Sequence, residues 1–177
     1  MGNIFIGSDM HFGHIRLQKS LRGFESDELI IENWNKVVRS KKDRVYVLGD
    51  FCMQKPSVIR EILPKLKGEI ILIGGNHDNL PCSREFMRQG IPILGSLTLH
   101  NIIFTHIPIH PTQLEFGLIG NVHGHIHVQG DMEGRKYAPQ HIEDPRYFNV
   151  NVEFHNYQLI PIDVIDKYYQ QLNQKSC

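Results

Sequence analysis

Residues 70–78 read Ile70-Ile71-Leu72-Ile73-Gly74-Gly75-Asn76-His77-Asp78: four apolar residues that stop at paired glycines and open into an amide, an imidazole and a carboxylate. A continuous apolar run this short, bounded by turn residues, is the pattern of a strand buried on both faces. The pattern recurs along the chain. Residues 3–7 run into Ser8-Asp9-Met10-His11 and residues 45–48 into Gly49-Asp50. Residues 102–104 run into Thr105-His106, and Val122 leads into His123-Gly124-His125-Ile126-His127. In open α/β sheets, ligands bind beyond the carboxyl ends of the strands. Polar clusters far apart in sequence are therefore expected to meet at one edge.

Helical patterns lie between the runs. Ser26 is placed to cap a helix with Asp27 and Glu28 in its first turn. Ile30, Trp34, Val37 and Val38 then form an apolar stripe, which assigns Trp34 to the core. Pro56 opens a second helix through Ile59, Ile62 and Leu63. A third, over residues 84–89, stops at Gly90, and Ile165, Tyr168, Tyr169 and Leu172 mark a terminal helix. Strands alternating with helices predict an α/β layered architecture. Residues 93–104 read as two strands joined at His100-Asn101, so part of the sheet should be antiparallel. Residues 149–153 read as a further strand paired with residues 159–162. Residues 129–146 are polar and rich in Gly and Pro, a long surface loop expected to shape specificity. With no repeat, linker or low-complexity tract, residues 1–177 read as one domain.

Composition narrows the functional classes. The chain is 41% hydrophobic and 21% charged, which suits a globular protein. Nineteen Lys and Arg balance nineteen Asp and Glu, so no basic field exists to gather long nucleic acid. A small phosphorylated or nucleotide substrate fits better. Cys52, Cys82 and Cys177 are scattered and odd in number, which predicts no disulfide framework and a reducing, cytoplasmic setting. The first residues carry neither a basic n-region nor a long apolar run, so neither a signal peptide nor a membrane partner is expected.

Eleven histidines are the unusual feature, and their placement carries the chemistry. Asp9 and His11 are two apart and project to one side of an extended backbone; His125 and His127 repeat that spacing. Asp50 has two oxygens with which to bridge, Asn76 offers a carbonyl oxygen, and His106 adds a nitrogen. Seven donors exceed one tetrahedral ion and suit two ions sharing a bridge. Nitrogen and oxygen without thiolate suit manganese first, with iron, zinc, nickel or cobalt as other divalent choices, rather than calcium. His77, carried to the rim beside Asn76, is the candidate acid for a leaving oxygen, with Asp78 to fix its tautomer. His14, Arg16 and His110 are candidate contacts to a substrate phosphate. Taken singly, Arg22, Arg135 and Arg146 read as surface charges, and His100, His141 and His155 as structural or solvated; His123 is open between packing and function.

Asp9-x-His11, Gly49-Asp50, Gly75-Asn76-His77-Asp78, His106 and Gly124-His125-x-His127 stand in order, and together they resemble the calcineurin-like metallophosphoesterase superfamily. Finer likeness to a compact bacterial and phage branch lies in residues 9–14, in Asn33-Trp34-Asn35 and in Asn149-Val150-Asn151. The resemblance implies a four-layer αββα sandwich with mixed parallel and antiparallel sheets. It implies one metal held by Asp9, His11, Asp50 and His127, and the other by Asp50, Asn76, His106 and His125, with His77 catalytic. The implied activity is hydrolysis of phosphodiesters, small nucleotides or cyclic diesters, by a hydroxide bridging two ions. Phosphomonoester hydrolysis, including protein phosphatase action, is the alternative. A non-catalytic interaction module on this fold would be expected to have lost ligands, and none is lost here.

Overall fold

The computed structural model describes residues 2–24, 27–53, 55–115, 117–127 and 143–175. Three apolar runs form parallel neighbours: β1 (Ile4–Gly7), β2 (Arg44–Leu48) and β3 (Glu69–Ile73). Phe5 is level with Val45, and Val45 with Ile70. β4 (Ile93–Leu94) adds in parallel beside β3, and β9 (Ile160–Pro161) lies antiparallel on β1, giving the order β4-β3-β2-β1-β9. A second sheet runs β5 (Leu97–Leu99), β6 (Ile102–Phe104), β7 (Gly120–His123) and β8 (Tyr147–Asn149) in that order. Its β5–β6 pair is antiparallel and the rest parallel.

After their exposed first residues, Arg44 and Glu69, the central strands β2 and β3 are apolar or aromatic because both faces of the first sheet are covered. After the short α1 (Ile15–Leu17) the longer helices cover one face, where Val45, Val47, Ile70 and Leu72 pack with Ile30 and Trp34 of α2 (Glu28–Val37), Ile59 of α3 (Pro56–Ile62) and Phe86 of α4 (Leu80–Arg88). The alternate residues Tyr46, Leu48 and Ile73 share a second core with Ile102, Phe104 and Val122 of the other sheet. Ile165 and Tyr169 of α5 (Ile162–Lys175) join that second core, the Tyr169 hydroxyl donating to the carbonyls of Asn121 and Arg146. The result is the expected α/β sandwich of two mixed sheets. Cys52 and Cys82 are buried free thiols in the first core, their Sγ atoms 3.7 Å apart.

Several local expectations hold. Pro56 opens its helix, Gly90 takes φ +75° just past the third, and the β5–β6 turn falls at His100-Asn101, both with positive φ. Asn33-Trp34-Asn35 has a plain structural use. Trp34 Nε1 donates to the Lys67 carbonyl, Asn35 bonds the backbone of Lys65 and Lys67, and Asn33 Nδ2 donates to the Asn156 carbonyl. The motif thereby fastens α2 to the turn that feeds β3.

Other expectations are corrected. The strand expected early in residues 93–104 divides between sheets: β4 joins the first, and β5 joins the second after Gly95-Ser96. The strand expected over residues 149–153 ends at Asn149; Asn151 Oδ1 instead accepts from the Glu153 amide and starts a 3-10 turn, Val152–His155. Its expected partner, residues 159–162, contributes β9 to the opposite sheet. The third helix begins at Leu80, earlier than expected, because Asn79 caps it by accepting from the Cys82 amide. The cap expected at Ser26, Arg135, His141, and residues 129–142 of the expected loop lie outside the described residues.

Trp34 is 1% exposed. Trp34→Ala is expected to destabilise the protein by about 3–5 kcal/mol, read from the midpoint of denaturant unfolding at constant slope.

Candidate metal centre

The parallel strands β1, β2, β3, β6 and β7 end at one place, and the next residues of each turn inward there. Beyond the strands the backbones of β1 and β2 continue to pair: the amides of Asp9, His11 and Phe12 donate to the carbonyls of Gly49, Asp50 and Phe51. Gly124 N donates to the His106 carbonyl, which holds the ends of β6 and β7 together. Four candidate ligands, Asp9, His11, Asp50 and His125, have left-handed backbone, with φ of 60°, 51°, 52° and 67°. Non-glycine residues rarely adopt it, and such strain concentrates at functional sites.

These turns gather two groups. Asp9, His11 and His127 each offer a donor atom within 4.8 Å of the others, and Asp50, His106 and His125 do the same. Asn76 Oδ1 belongs with the second group, 2.8 Å from His106 Nε2 and 3.0 Å from His125 Nδ1. Asp50 Oδ2 lies between the groups, 3.8 Å from His11 Nε2 and 3.4 Å from His106 Nε2. All seven sequence-predicted donors therefore converge.

The geometry fits cations. Among the described residues Asp9 Oδ1 is buried with no hydrogen-bond partner, yet it stands 3.9 Å from His11 Nε2 and 3.6 Å from His127 Nε2. Those separations are long for hydrogen bonds, but near the spacing of about 3–3.5 Å between donors that each sit about 2.0–2.2 Å from one ion. The other oxygen, Asp9 Oδ2, is filled by Ser8 Oγ at 2.5 Å and the His125 amide at 2.9 Å.

The electrostatics ask for positive charge. Burial pushes the Asp9 carboxyl above its usual range, against the pull of His127 and His106. Burial works on Asp50 too, but the hydrogen bond and charge of His106, with the His77 amide and His11, together outweigh it and bring Asp50 down to about 2. Burial would lower His106, yet Asp50 and Asp9 raise it to about 9. His11 and His125 are lowered, chiefly by burial. A proton on His106 thus supplies part of the charge that a bound cation would supply.

His77 sits at the rim, its Nε2 4.0 Å from Asp50 Oδ2 and its amide donating to Asp50 Oδ1 at 2.9 Å. The expectation that Asp78 fixes the His77 tautomer is corrected. The Asp78 carboxylate instead accepts from the amides of Asp50, Phe51 and Gly75, and His77 Nδ1 has no partner among the described residues. Three backbone donors at fixed positions outcompete a neighbouring ring. Burial, with the Asp50 charge second, raises Asp78 to about 6.

Of the candidate phosphate contacts, His14 has its ring 6.2 Å from that of His11 while its Nδ1 accepts from the Leu17 amide. Arg16 is exposed. His110 bonds Thr112 within its own loop. His123 is buried facing Tyr147, His100 pairs with Asp166, and His155 stacks on Phe148.

Sequence reasoning missed two groups. Arg22 is buried rather than a surface charge, donating to the carbonyls of Asp9 and Met10. Glu153 faces His127 Nδ1 at 2.9 Å and takes Arg22 as well. Burial raises the Glu153 carboxyl, but His127 and Arg22 overcome it and hold it to about 2. No spacing rule links residues 22, 127 and 153. Asn149-Val150-Asn151 acquires a reason: both amides donate to the carbonyl of Ile126, the residue between His125 and His127.

No protein-family model matches the chain. The uncharacterized protein MJ1445 of Methanocaldococcus jannaschii is 35% identical over 175 residues, 94% of this chain and 91% of that protein. Glycerophosphodiester phosphodiesterase GpdQ of Enterobacter lignolyticus is 36% identical over 63 residues, only 33% of this chain and 23% of that enzyme. The solved structure of the Aquifex aeolicus protein AQ665, of unknown function, matches with a TM-score of 0.66 at 26% identity, covering 94% of this chain and 99% of that one. Such identity along nearly the full length of both proteins makes this chain one family with MJ1445, and the motif blocks that its strand ends bring together resemble those of the calcineurin-like metallophosphoesterase superfamily.

Proposed function

We propose that the protein is a metal-dependent phosphodiesterase for small nucleotide or cyclic diesters, with manganese the first choice of metal. The observation that carries this is the position of Asp50 Oδ2 between two donor groups, with the half-buried His77 beside it. Asp9, His11, Asp50 and His127 would hold one ion, and Asp50, Asn76, His106 and His125 the other. When bound, such ions polarise a phosphoryl oxygen and make water nucleophilic at neutral pH.

The remaining steps belong to the chain's own side chains. His77 is held by its amide on Asp50 Oδ1, so its Nε2 faces the same space as the bridging carboxylate. From there it would stabilise charge on the phosphoryl group and deliver a proton to the leaving oxygen. The leaving group, an alkoxide or aryl oxide in diesters and monoesters alike, gains from that proton. The partial likeness to an enzyme named as a glycerophosphodiester phosphodiesterase supports the diester reading. Zero formal net charge favours a small substrate over long nucleic acid.

Rates of the manganese-loaded protein on bis-(p-nitrophenyl) phosphate and p-nitrophenyl phosphate test the proposal. Faster diester turnover supports it, faster monoester turnover favours a phosphomonoesterase, and no hydrolysis of either overturns it. His77→Ala is expected to lower kcat by roughly 10²–10⁴-fold while metal analysis still finds two ions. Asp50→Asn is expected to weaken both sites, and full metal content in that variant would remove the bridging role. Metal uptake should also depend on pH. The His106 proton, held up to about pH 9, must leave before that nitrogen can ligate. Apparent affinity should therefore climb with pH by up to about tenfold per unit and flatten near pH 9, measured by calorimetric titration in buffers of matched ionic strength.

A further inference from the structure

Behind the first donor group stands a network that none of the motif blocks contains. Glu153 Oε1 lies 2.9 Å from His127 Nδ1 and 2.8 Å from both Nε and Nη2 of Arg22. The same guanidinium donates through Nη1 to the Met10 carbonyl at 2.8 Å and through Nη2 to the Asp9 carbonyl at 2.7 Å. The Arg22 side chain is 1% exposed, so these contacts form in a water-poor interior. One buried network thus joins the left-handed turn bearing Asp9 and His11 to the ring of His127. The second group is built differently. His106 Nδ1 faces the Leu48 backbone carbonyl at 2.8 Å, and its neighbour His125 uses Nδ1 toward Asn76.

We infer that Glu153, held by Arg22, is a positioning residue that makes the Asp9–His11–His127 group the tighter and first-filled of the two metal sites; the inference rests on the two-ion reading above. The cause is the polarity of the imidazole. A carboxylate on Nδ1 keeps the proton on that nitrogen and leaves the Nε2 lone pair facing Asp9 Oδ1 at 3.6 Å. The negative charge also makes the ring a stronger donor, an effect that a neutral backbone carbonyl supplies more weakly. Arg22 fixes the carboxylate in turn and ties it to the Asp9 and Met10 carbonyls, so the His127 ring and the turn that carries Asp9 and His11 are set relative to each other before any ion arrives.

The test uses the full-length, metal-stripped protein titrated with Mn(II) by calorimetry, with electron paramagnetic resonance recorded at each addition. The wild type is expected to take two ions in two steps and to end with a spin-coupled pair. Glu153→Gln keeps the shape and removes the charge. It should keep one ion at an affinity the wild type also shows, weaken the other by about 10–100-fold, and give an uncoupled Mn(II) signal where the wild type is already paired. Because loss of Glu153 leaves the Arg22 charge buried without its counter-ion, the double variant Arg22→Met/Glu153→Gln is titrated as well. It should lose the same site, and melting of the metal-free forms reports on folding separately. Unchanged affinities in both variants, or equal weakening of both steps, overturn the inference while leaving the two-ion reading intact. A wild type that takes up no ion overturns the two-ion reading and the inference with it.

Discussion

Two carboxylates, Asp9 and Asp50, are buried beside each other at the ends of neighbouring parallel strands, and the surrounding structure is arranged to hold that charge. A buried anion without compensation costs several kcal/mol or takes up a proton. Three kinds of compensation are present. Ser8 and the amides of His77 and His125 donate to the carboxylates, His106 carries a proton near Asp50, and one oxygen of Asp9 is left facing imidazole nitrogens. The last of these is an invitation to a cation, and the strained backbone at Asp9, His11, Asp50 and His125 aims the donors at it. Each left-handed residue costs about 1–2 kcal/mol, a burden that the rigid strands on either side sustain.

The charge also dictates where side chains are forbidden. A Cβ on Gly75 would sit 2.3 Å from Asp50 Oδ1, and one on Gly124 would sit 2.3 Å from Ser8 Oγ and 2.5 Å from Asp9 Oδ2. Both glycines let a turn from one strand end close directly over a carboxylate from another. Gly75 does so within the first sheet, and Gly124 does so across the seam between the sheets. The seam is fastened a second time where Asn149 and Asn151 hold the carbonyl between His125 and His127, while Ser8 pairs with Asn151. The site therefore depends on how the two sheets pack, and not on either alone.

Much of this is legible in the amino-acid order. Short apolar runs that break into Asp, Asn, His and Gly announce buried strands with functional ends, because burial on both faces demands unbroken apolarity and a ligand site demands its interruption. The seven candidate donors, the candidate rim histidine, the Pro56 helix start and the His100-Asn101 turn are all local events within a few residues, and each lies at the strand end, helix start or turn that the pattern marks. The order of the blocks also carries the family resemblance.

What the tertiary structure decided are the relations between distant segments. Local pattern marks residues 93–94 and 160–161 as extended but does not say which sheet receives them, since that choice depends on which edge the packed sandwich leaves open. Arg22 looks like any surface cation until β1 and the Val152–His155 turn close around it, and Glu153 looks like the polar side of a strand until Asn151 ends that strand. Asp78 looks like the partner of His77 because they are adjacent, but three convergent backbone amides are stronger competitors. The sequence alone determined which residues are candidate donors, through residue type and spacing. Only the folded chain decided which groups stand behind them, because a buried charge takes its partners from whatever the whole packing brings within reach.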